Sequence, residues 1–117
     1  MIEVRRESDG ELCGHVRPLG DRWQALTVFG GDLGILGHQK EAEARVHQVG
    51  LSSLAERWWY RADESADWQV VCVQEASPHS VRLALDYYSM PGVPTVTVTR
   101  EELESGVSLV LTRDEPA

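Results

Sequence analysis

Cys13 and His15 are the first pair of side chains in the sequence whose types could support chemistry. Two residues apart on a strand, a thiol and an imidazole share one face, where they could bind a metal ion or act as nucleophile and base. A zinc site needs three or four converging ligands, and catalysis needs a third, orienting group. The other candidate ligands have no recognisable local spacing: His38, His47, His79 and Cys72. We therefore predict no metal, no cofactor and no catalytic residue.

Two carboxylates, Glu75 and Asp86, lie inside predicted strands and could in principle act as general acid and base. Arg82 lies between them in the predicted hairpin, and we expect it to neutralise one of them at the surface. The glycine-rich segment 30–37 lacks the Gly-Lys-Ser/Thr of a phosphate-binding loop. The sequence therefore favours a protein that is not an enzyme.

Length and composition predict one ordinary domain. The 117-residue chain is 42% hydrophobic and 26% charged, which fits a single domain over residues 1–117. The first residues, MIEVRRESDGEL, alternate apolar and polar types where a secretory signal would need an apolar block, and no apolar run could cross a bilayer. We therefore expect a cytoplasmic location. In that reducing compartment Cys13 and Cys72 are predicted to remain thiols.

The charge balance restricts the partners that the protein could bind. With 19 acidic and 11 basic residues the formal net charge is -8, which repels nucleic acid and anionic membranes and favours a basic protein partner. Lys40 is the one lysine among the basic residues, a bias that indicates a bacterial genome of high GC content. We expect an acidic bacterial protein that does not bind membranes.

The N-terminal third of the chain has the pattern of a β-meander. Residues 2–7, 11–18 and 22–29 alternate apolar and polar types, and DGE and LGDR between them are turn signals. The glycine-rich stretch that follows permits a short irregular strand or a loop. These features predict a three-stranded antiparallel sheet at the start of the chain.

Residues 39–60 have a helical pattern that is interrupted at Gly50. The apolar stripe before Gly50 lies nearly opposite the stripe after it, when residues are placed about 100° apart. This flip predicts a helix over 39–49 that ends in a left-handed glycine cap, followed by a second short helix from Ser52 or Ser53. Glu56, three residues after Ser53, completes a candidate capping box.

The C-terminal half is predicted to form hairpin strands. WQVVCVQE at 68–75 and SVRLALDYY at 80–88 flank the turn ASPH, and a register with Glu75 opposite Ser80 would place Cys72 on the core face. TVTVT at 95–99 reads as a further strand, and Thr99 with Glu102 as a helix cap. The final strand is VSLVLTR. The predicted fold class is α+β, mostly antiparallel sheet, packed by the broken helical segment at about 39–60.

The stretch LAERWWYR at 54–61 contains the strongest candidate for an interaction surface. On a helix, Trp58 would continue the apolar stripe into the core. Trp59 and Tyr60 cannot both share that stripe, because successive helical residues are splayed by about 100°. Aromatic and arginine side chains are enriched in interface hot spots. We therefore predict a self-association or partner contact formed by Arg57, Trp59, Tyr60 and Arg61.

The segment from Asp21 to Val49 contains a tryptophan-bearing strand, a glycine-rich turn and then a helix. In outline it resembles the DNA-binding modules of plant AP2 factors and phage integrase arms. The resemblance covers about a quarter of the chain and implies a nucleic-acid-binding module that reads DNA from its sheet, here with Arg22 and Trp23. Such a module would require a basic stripe from five arginines: Arg5, Arg6, Arg17, Arg22 and Arg57.

The function predicted from the sequence is that of a small cytoplasmic, non-enzymatic protein-interaction protein with an accessory or regulatory role. Its partner is another protein or a second copy of the chain in a homodimer. One alternative is the nucleic-acid-binding module, which the acidic composition disfavours. The second alternative is a small-molecule-binding domain with a tryptophan-lined pocket.

Overall fold

The computed structural model describes residues 1–85, 92–105 and 110–112. The chain divides into two compact units, Met1–Ser53 and Leu54–Ala117, which we call the N-terminal and C-terminal units. The prediction of a single domain over the whole chain stays a prediction. Within the described ranges, no helix combines the length and the apolar character needed to span a membrane.

The N-terminal unit is built on a four-stranded antiparallel meander. Its strands are β1 (Ile2–Arg5), β2 (Leu12–Leu19), β3 (Arg22–Leu26) and β4 (Asp32–Leu36), which lie side by side in chain order. The three predicted strands are confirmed: the first and third are shorter than predicted, and the second is shifted by one residue. The glycine-rich stretch supplies the fourth strand, with Gly34 at a φ of 118° where other residues are strained.

Helix α1, Gln39–Val49, packs on one face of this sheet and closes a small core. Ala42 and Val46 are the buried residues of the helix. Gly14 lies under the helix, where only glycine fits. A Cβ at this position would collide with the Leu26 carbonyl and lie 2.9 Å from Val46 Cγ1. The remaining buried members of the core come from the strands and their ends: Val4, Cys13, Val16, Ala25 and Leu33.

Gly50 ends helix α1, as the flip of the apolar stripe predicts, but the predicted left-handed cap is wrong. Gly50 has a φ of -56° and a ψ of -56°, and its N–H donates to the Val46 carbonyl at 2.8 Å. The glycine is needed for space. A Cβ here would collide with the carbonyl oxygens of Cys13 and Val46.

The predicted second helix is reduced to one 3₁₀ turn, Ser52–Ala55, and the prediction of helix up to residue 60 is wrong. Residues Arg57–Arg61 form strand β5 instead. Ser53 Oγ donates to the Gly50 carbonyl at 2.9 Å, and the capping box of Ser53 with Glu56 stays a prediction. Aromatic residues favour strands, and β5 gains hydrogen-bonded partners on both sides, which outweighs a helical pattern only a few residues long.

The C-terminal unit is a five-stranded antiparallel sheet of spatial order β8-β7-β6-β5-β9. Helix α2, Arg100–Ser105, connects β8 to β9. The predicted cap is confirmed, because the Thr99 N–H donates to Glu102 Oε1 and the Glu102 N–H donates to Thr99 Oγ1. The α+β class with a mostly antiparallel sheet is confirmed as well. The strands after β5 are β6 (Gln69–Ala76), β7 (Ser80–Ala84), β8 (Thr95–Thr99) and β9 (Val110–Thr112).

The hairpin β6–β7 has a different register from the predicted one. Glu75 lies opposite Arg82 and not Ser80, and a register shift between Val73 and Glu75 marks a bulge. The turn is closed by a hydrogen bond from the Ser77 N–H to the Ser80 carbonyl, and the first strand pair next to the turn is Ala76 with Val81. Cys72 therefore leaves the predicted core face and is half-buried on the other face. Predictions for residues 86–91, 106–109 and 113–117, including Asp86, lie outside the described residues.

Candidate functional site

Strand β5 separates its side chains onto two faces of the C-terminal sheet. Because successive strand residues point in opposite directions, Arg57, Trp59 and Arg61 share one face while Trp58 and Tyr60 share the other. Trp58 is 0% exposed and Tyr60 is 7% exposed. Trp59 and Arg61 are half-buried, and Arg57 is exposed. The sequence Arg-Trp-Trp-Tyr-Arg thus forms a core on one side and an arginine-flanked tryptophan on the other.

Trp59 is held by neighbouring strands on both sides. It lies opposite Val70 on β6 and opposite Thr112 on β9, so β5 is an interior strand of the sheet. Cross-strand partners lie about 4.5–5.5 Å apart between Cβ atoms, and they restrict the rotamers available to a large ring. A tryptophan on such a strand is presented with little freedom, which lowers the entropy lost on binding.

Arg61 is positioned by a second tryptophan. Its guanidinium carbon lies 4.7 Å from the ring centroid of Trp68, which directly precedes β6. A cation–π contact of this kind contributes about 0.5–1 kcal/mol at an exposed site and fixes the planar guanidinium over the ring. Arg57, Trp59, Arg61 and Trp68 together form what we call the Arg-Trp face.

An ordered acidic loop borders the Arg-Trp face between β5 and β6. Asp63 Oδ1 accepts hydrogen bonds from the Ser65 N–H at 2.8 Å and the Ser65 hydroxyl at 2.6 Å. These bonds lower the pKa of Asp63, and the nearby charge of Arg61 lowers it slightly further. The carboxylate therefore contributes a negative charge at this end of the face.

Tyr60 does not join the other three residues of the predicted interaction surface. Its phenol lies on the opposite face, where burial raises its pKa, and the charges of Glu102 and Asp63 raise it further. Arg57, Trp59 and Arg61 are brought together as predicted, through strand alternation. Trp68 was not predicted from the sequence. It could have been found if residues 57–61 had been assigned to a strand with a two-residue period and paired with the strand that follows Trp68.

A polar groove of about 380 Å³ lies on the same sheet, over the β6–β7–β8 strands. Within it Arg82 Nη2 contacts Glu75 Oε1 at 2.7 Å, which is the neutralising pair expected from the sequence. The two side chains are 43% and 69% exposed, so the pair contributes little to stability. The lining residues include no tryptophan, unlike the predicted pocket: Glu75, Ala76, Ser77, Ser80, Arg82 and Thr97.

Cys13 and His15 are buried in the N-terminal unit. Cys13 is 3% exposed and its Sγ lies 3.6 Å from the Glu11 carbonyl, while His15 is 5% exposed. Across residues 1–85, 92–105 and 110–112, no three His, Cys, Asp or Glu side chains come together as metal ligands. Both Cys13 and Cys72 are thiols.

Three of the five arginines that a nucleic-acid surface would need are engaged with other side chains in the N-terminal unit: Arg5, Arg6 and Arg17. Arg5 contacts Glu3 at 3.3 Å and Arg6 contacts Asp9 at 2.7 Å. Arg17 donates to Gln24 at 2.7 Å, and the amide of Gln24 donates in turn to Asp32. Carboxylates next to these guanidinium groups cancel much of the positive potential that phosphate binding requires.

No protein-family model matches this chain, and no curated protein or solved structure matches it either. A function is therefore inferred from the geometry of the Arg-Trp face.

Proposed function

We propose that this protein is a small, non-enzymatic interaction protein with an accessory or regulatory role, and that it binds a partner protein through the Arg-Trp face. The observation that carries the proposal is the position of Trp59. A large ring that is half-buried lies on an interior strand, between two arginines on the same face. Tryptophan and arginine are the residue types most enriched among interface hot spots.

The local charge favours carboxylates on the partner, in contrast to the basic partner expected from the net charge of -8. At physiological ionic strength, charges separated by more than about 8 Å are largely screened. Docking therefore depends on the groups near Trp59. Arg57 and Arg61 supply positive charge there, and Asp63 of the acidic loop lies close enough to Arg61 for the two charges to interact. Planar guanidinium groups bind carboxylates through two parallel hydrogen bonds.

A different protein suits this face better than a second copy of the chain. In a two-fold contact centred on Trp59 with antiparallel β5 strands, Arg57 of one copy would approach Arg61 of the other. With parallel strands, each arginine would approach the same arginine of the other copy. Like charges directly opposite each other are destabilising. An acidic partner does not meet this repulsion. A cytoplasmic site of action is proposed with it, since the two thiols fit a reducing compartment.

The Trp59→Ala variant tests the proposal. The tagged full-length chain is used to capture partners from the native host, and each captured protein is purified and titrated by calorimetry. We expect Trp59→Ala to weaken binding at least tenfold, the effect of about 1.4 kcal/mol, which is below the usual loss at a hot spot. Arg57→Glu should weaken it too, because it reverses the local charge.

Ile35→Ala is the matched control. Ile35 is a large hydrophobic residue that is 47% exposed in the N-terminal unit, outside the Arg-Trp face. Its replacement should leave the affinity unchanged. Retention of wild-type affinity by a folded Trp59→Ala variant would show that the Arg-Trp face is not the docking site.

A further inference from the structure

Strand β8 forms one edge of the C-terminal sheet and pairs with β7 on its other side. Its sequence, Thr95–Thr99, combines high strand propensity with no charge, proline or glycine. The two edge strands of the N-terminal sheet carry features that block further pairing. Strand β1 has Glu3, Arg5 and an irregular register, and β4 has Asp32, Gly34 and an irregular register. Strand β8 has none of these protections.

The hydrogen bonds at the two ends of β8 show which way its backbone groups point. The Leu85 N–H donates to the Pro94 carbonyl at 2.9 Å, and the Arg100 N–H donates to the His79 carbonyl at 2.8 Å. Hydrogen-bonded and non-hydrogen-bonded pairs alternate along an antiparallel ladder. The residues whose backbone groups point to β7 are therefore Val96 and Val98. The residues whose N–H and C=O groups point away from β7 are Thr95, Thr97 and Thr99.

One of these outward groups is already bonded. The Thr99 N–H donates to Glu102 Oε1 at 3.1 Å as part of the helix cap. For Thr95 and Thr97, the part of the chain that the structure describes contains no partner for either N–H or C=O. Both residues are exposed. The edge therefore offers a short row of donors and acceptors to another strand.

We propose that β8 pairs in antiparallel orientation with β8 of a second copy of the chain, which joins the two C-terminal sheets into one. The two-fold axis passes through Val96. Thr95 then lies opposite Thr97 of the second copy, and each outward N–H meets an outward C=O. Val96 faces Val96 of the second copy in the non-hydrogen-bonded pair at the axis, where apolar side chains come closest.

A second copy fits this edge because the segment is complementary to itself. In the proposed register every outward group of Thr95 and Thr97 is satisfied, and the Thr99 N–H that is held by Glu102 is not required. The strand has no charge, so the repulsion between two acidic chains is not concentrated at the contact. A register centred on Thr97 would instead need the occupied Thr99 N–H. The inference is independent of the proposed partner contact, which uses the Arg-Trp face.

The first test is the mass of the full-length chain by light scattering over a concentration series. Wild type should approach twice the chain mass at high concentration. Thr97→Pro removes an outward N–H without removing a bond to β7, so it should fold and weaken self-association at least tenfold. Thr97→Val keeps the N–H and should associate like wild type. Trp59→Ala should also associate like wild type, which separates this inference from the proposed function.

Cysteine cross-linking tests the register. In a non-hydrogen-bonded pair the Cα atoms lie about 4.5 Å apart, within the range of a disulfide. Under mild oxidation Val96→Cys should form a covalent dimer on a non-reducing gel, and Thr97→Cys should form little more than wild type, which controls for the native thiols. The inference is overturned if wild type stays monomeric throughout the series, if folded Thr97→Pro associates like wild type, or if Val96→Cys cross-links no more than Thr97→Cys.

Discussion

Trp58 and Trp59 are adjacent in the chain and lie on opposite faces of the C-terminal sheet. Trp58 is 0% exposed and lies opposite Val71, whereas Trp59 is half-buried and lies opposite Val70. The separation follows from the two-residue period of a strand, which turns neighbouring side chains to opposite sides. One tryptophan therefore contributes to the core, and the next is available to the candidate site.

This relationship predicts different stability losses for two similar variants. Trp58→Ala should lower the free energy of unfolding by about 3–5 kcal/mol, the usual cost of removing a buried aromatic side chain. Trp59→Ala should cost less, because part of its ring remains in water in the native state. Urea denaturation followed by circular dichroism measures both. If Trp58→Ala does not fold, Trp58→Phe replaces it, and a loss no larger than that of Trp59→Ala would contradict the assignment of faces.

Gly50 should tolerate no side chain, because of space and not because of backbone angle. In Gly50→Ala the new Cβ meets the carbonyl oxygens of Cys13 and Val46, neither of which can move without shifting backbone. We expect a loss of about 1–3 kcal/mol in unfolding free energy. Gly37→Ala is the control, since its Cβ would lie 3.6 Å from the flexible Glu41 carboxylate. Equal melting temperatures for the two variants would show that the close approach at Gly50 is not limiting.

Asp9 should titrate well below an ordinary aspartate. The hydrogen bond from Arg6 and the N–H of Glu11 lower its pKa from 3.8 to about 2. The ionised form is favoured in the folded state, so its stabilising effect is complete above pH 3.8 and is lost as the pH falls toward 2. Carbon NMR of the side-chain carboxyl measures the midpoint. Arg6→Met should raise that midpoint without restoring it fully, because the Glu11 N–H still donates; an unchanged midpoint would exclude the Arg6 contact.

Tyr60 should titrate above pH 10. Burial favours the neutral phenol, and the charges of Glu102 and Asp63 add to the effect, so its pKa is raised from 10.0. The unfolded chain loses this proton first, and the stability that depends on neutral Tyr60 is complete below pH 10 and declines above it. The tyrosinate absorbance of wild type minus that of Tyr60→Phe isolates this titration. A midpoint at or below 10 would mean that the phenol is not buried.

Local patterns in the sequence determined much of the architecture. Alternating residues between clear turn signals predicted the first three strands, because a hairpin depends on residues that are close in the chain. The Thr99–Glu102 cap was predicted for the same reason, since its two residues are three apart in the chain. The end of helix α1 at Gly50 was visible as the flip of the apolar stripe on either side of it.

Long-range pairing decided what the sequence left open. The segment Arg57–Arg61 is short enough to fit a helical stripe or a strand, and it becomes a strand because β6 and the distant β9 supply hydrogen-bonded neighbours on both sides. The same pairing places Trp68 beside Arg61 and turns Tyr60 away from Trp59. A bulge near Gln74 likewise shifts the register that places Cys72. The sequence therefore showed that tryptophan and arginine side chains form the candidate site. Tertiary contacts decided which of these residues belong to it, since only the pairing of distant strands determines which side chains share a face.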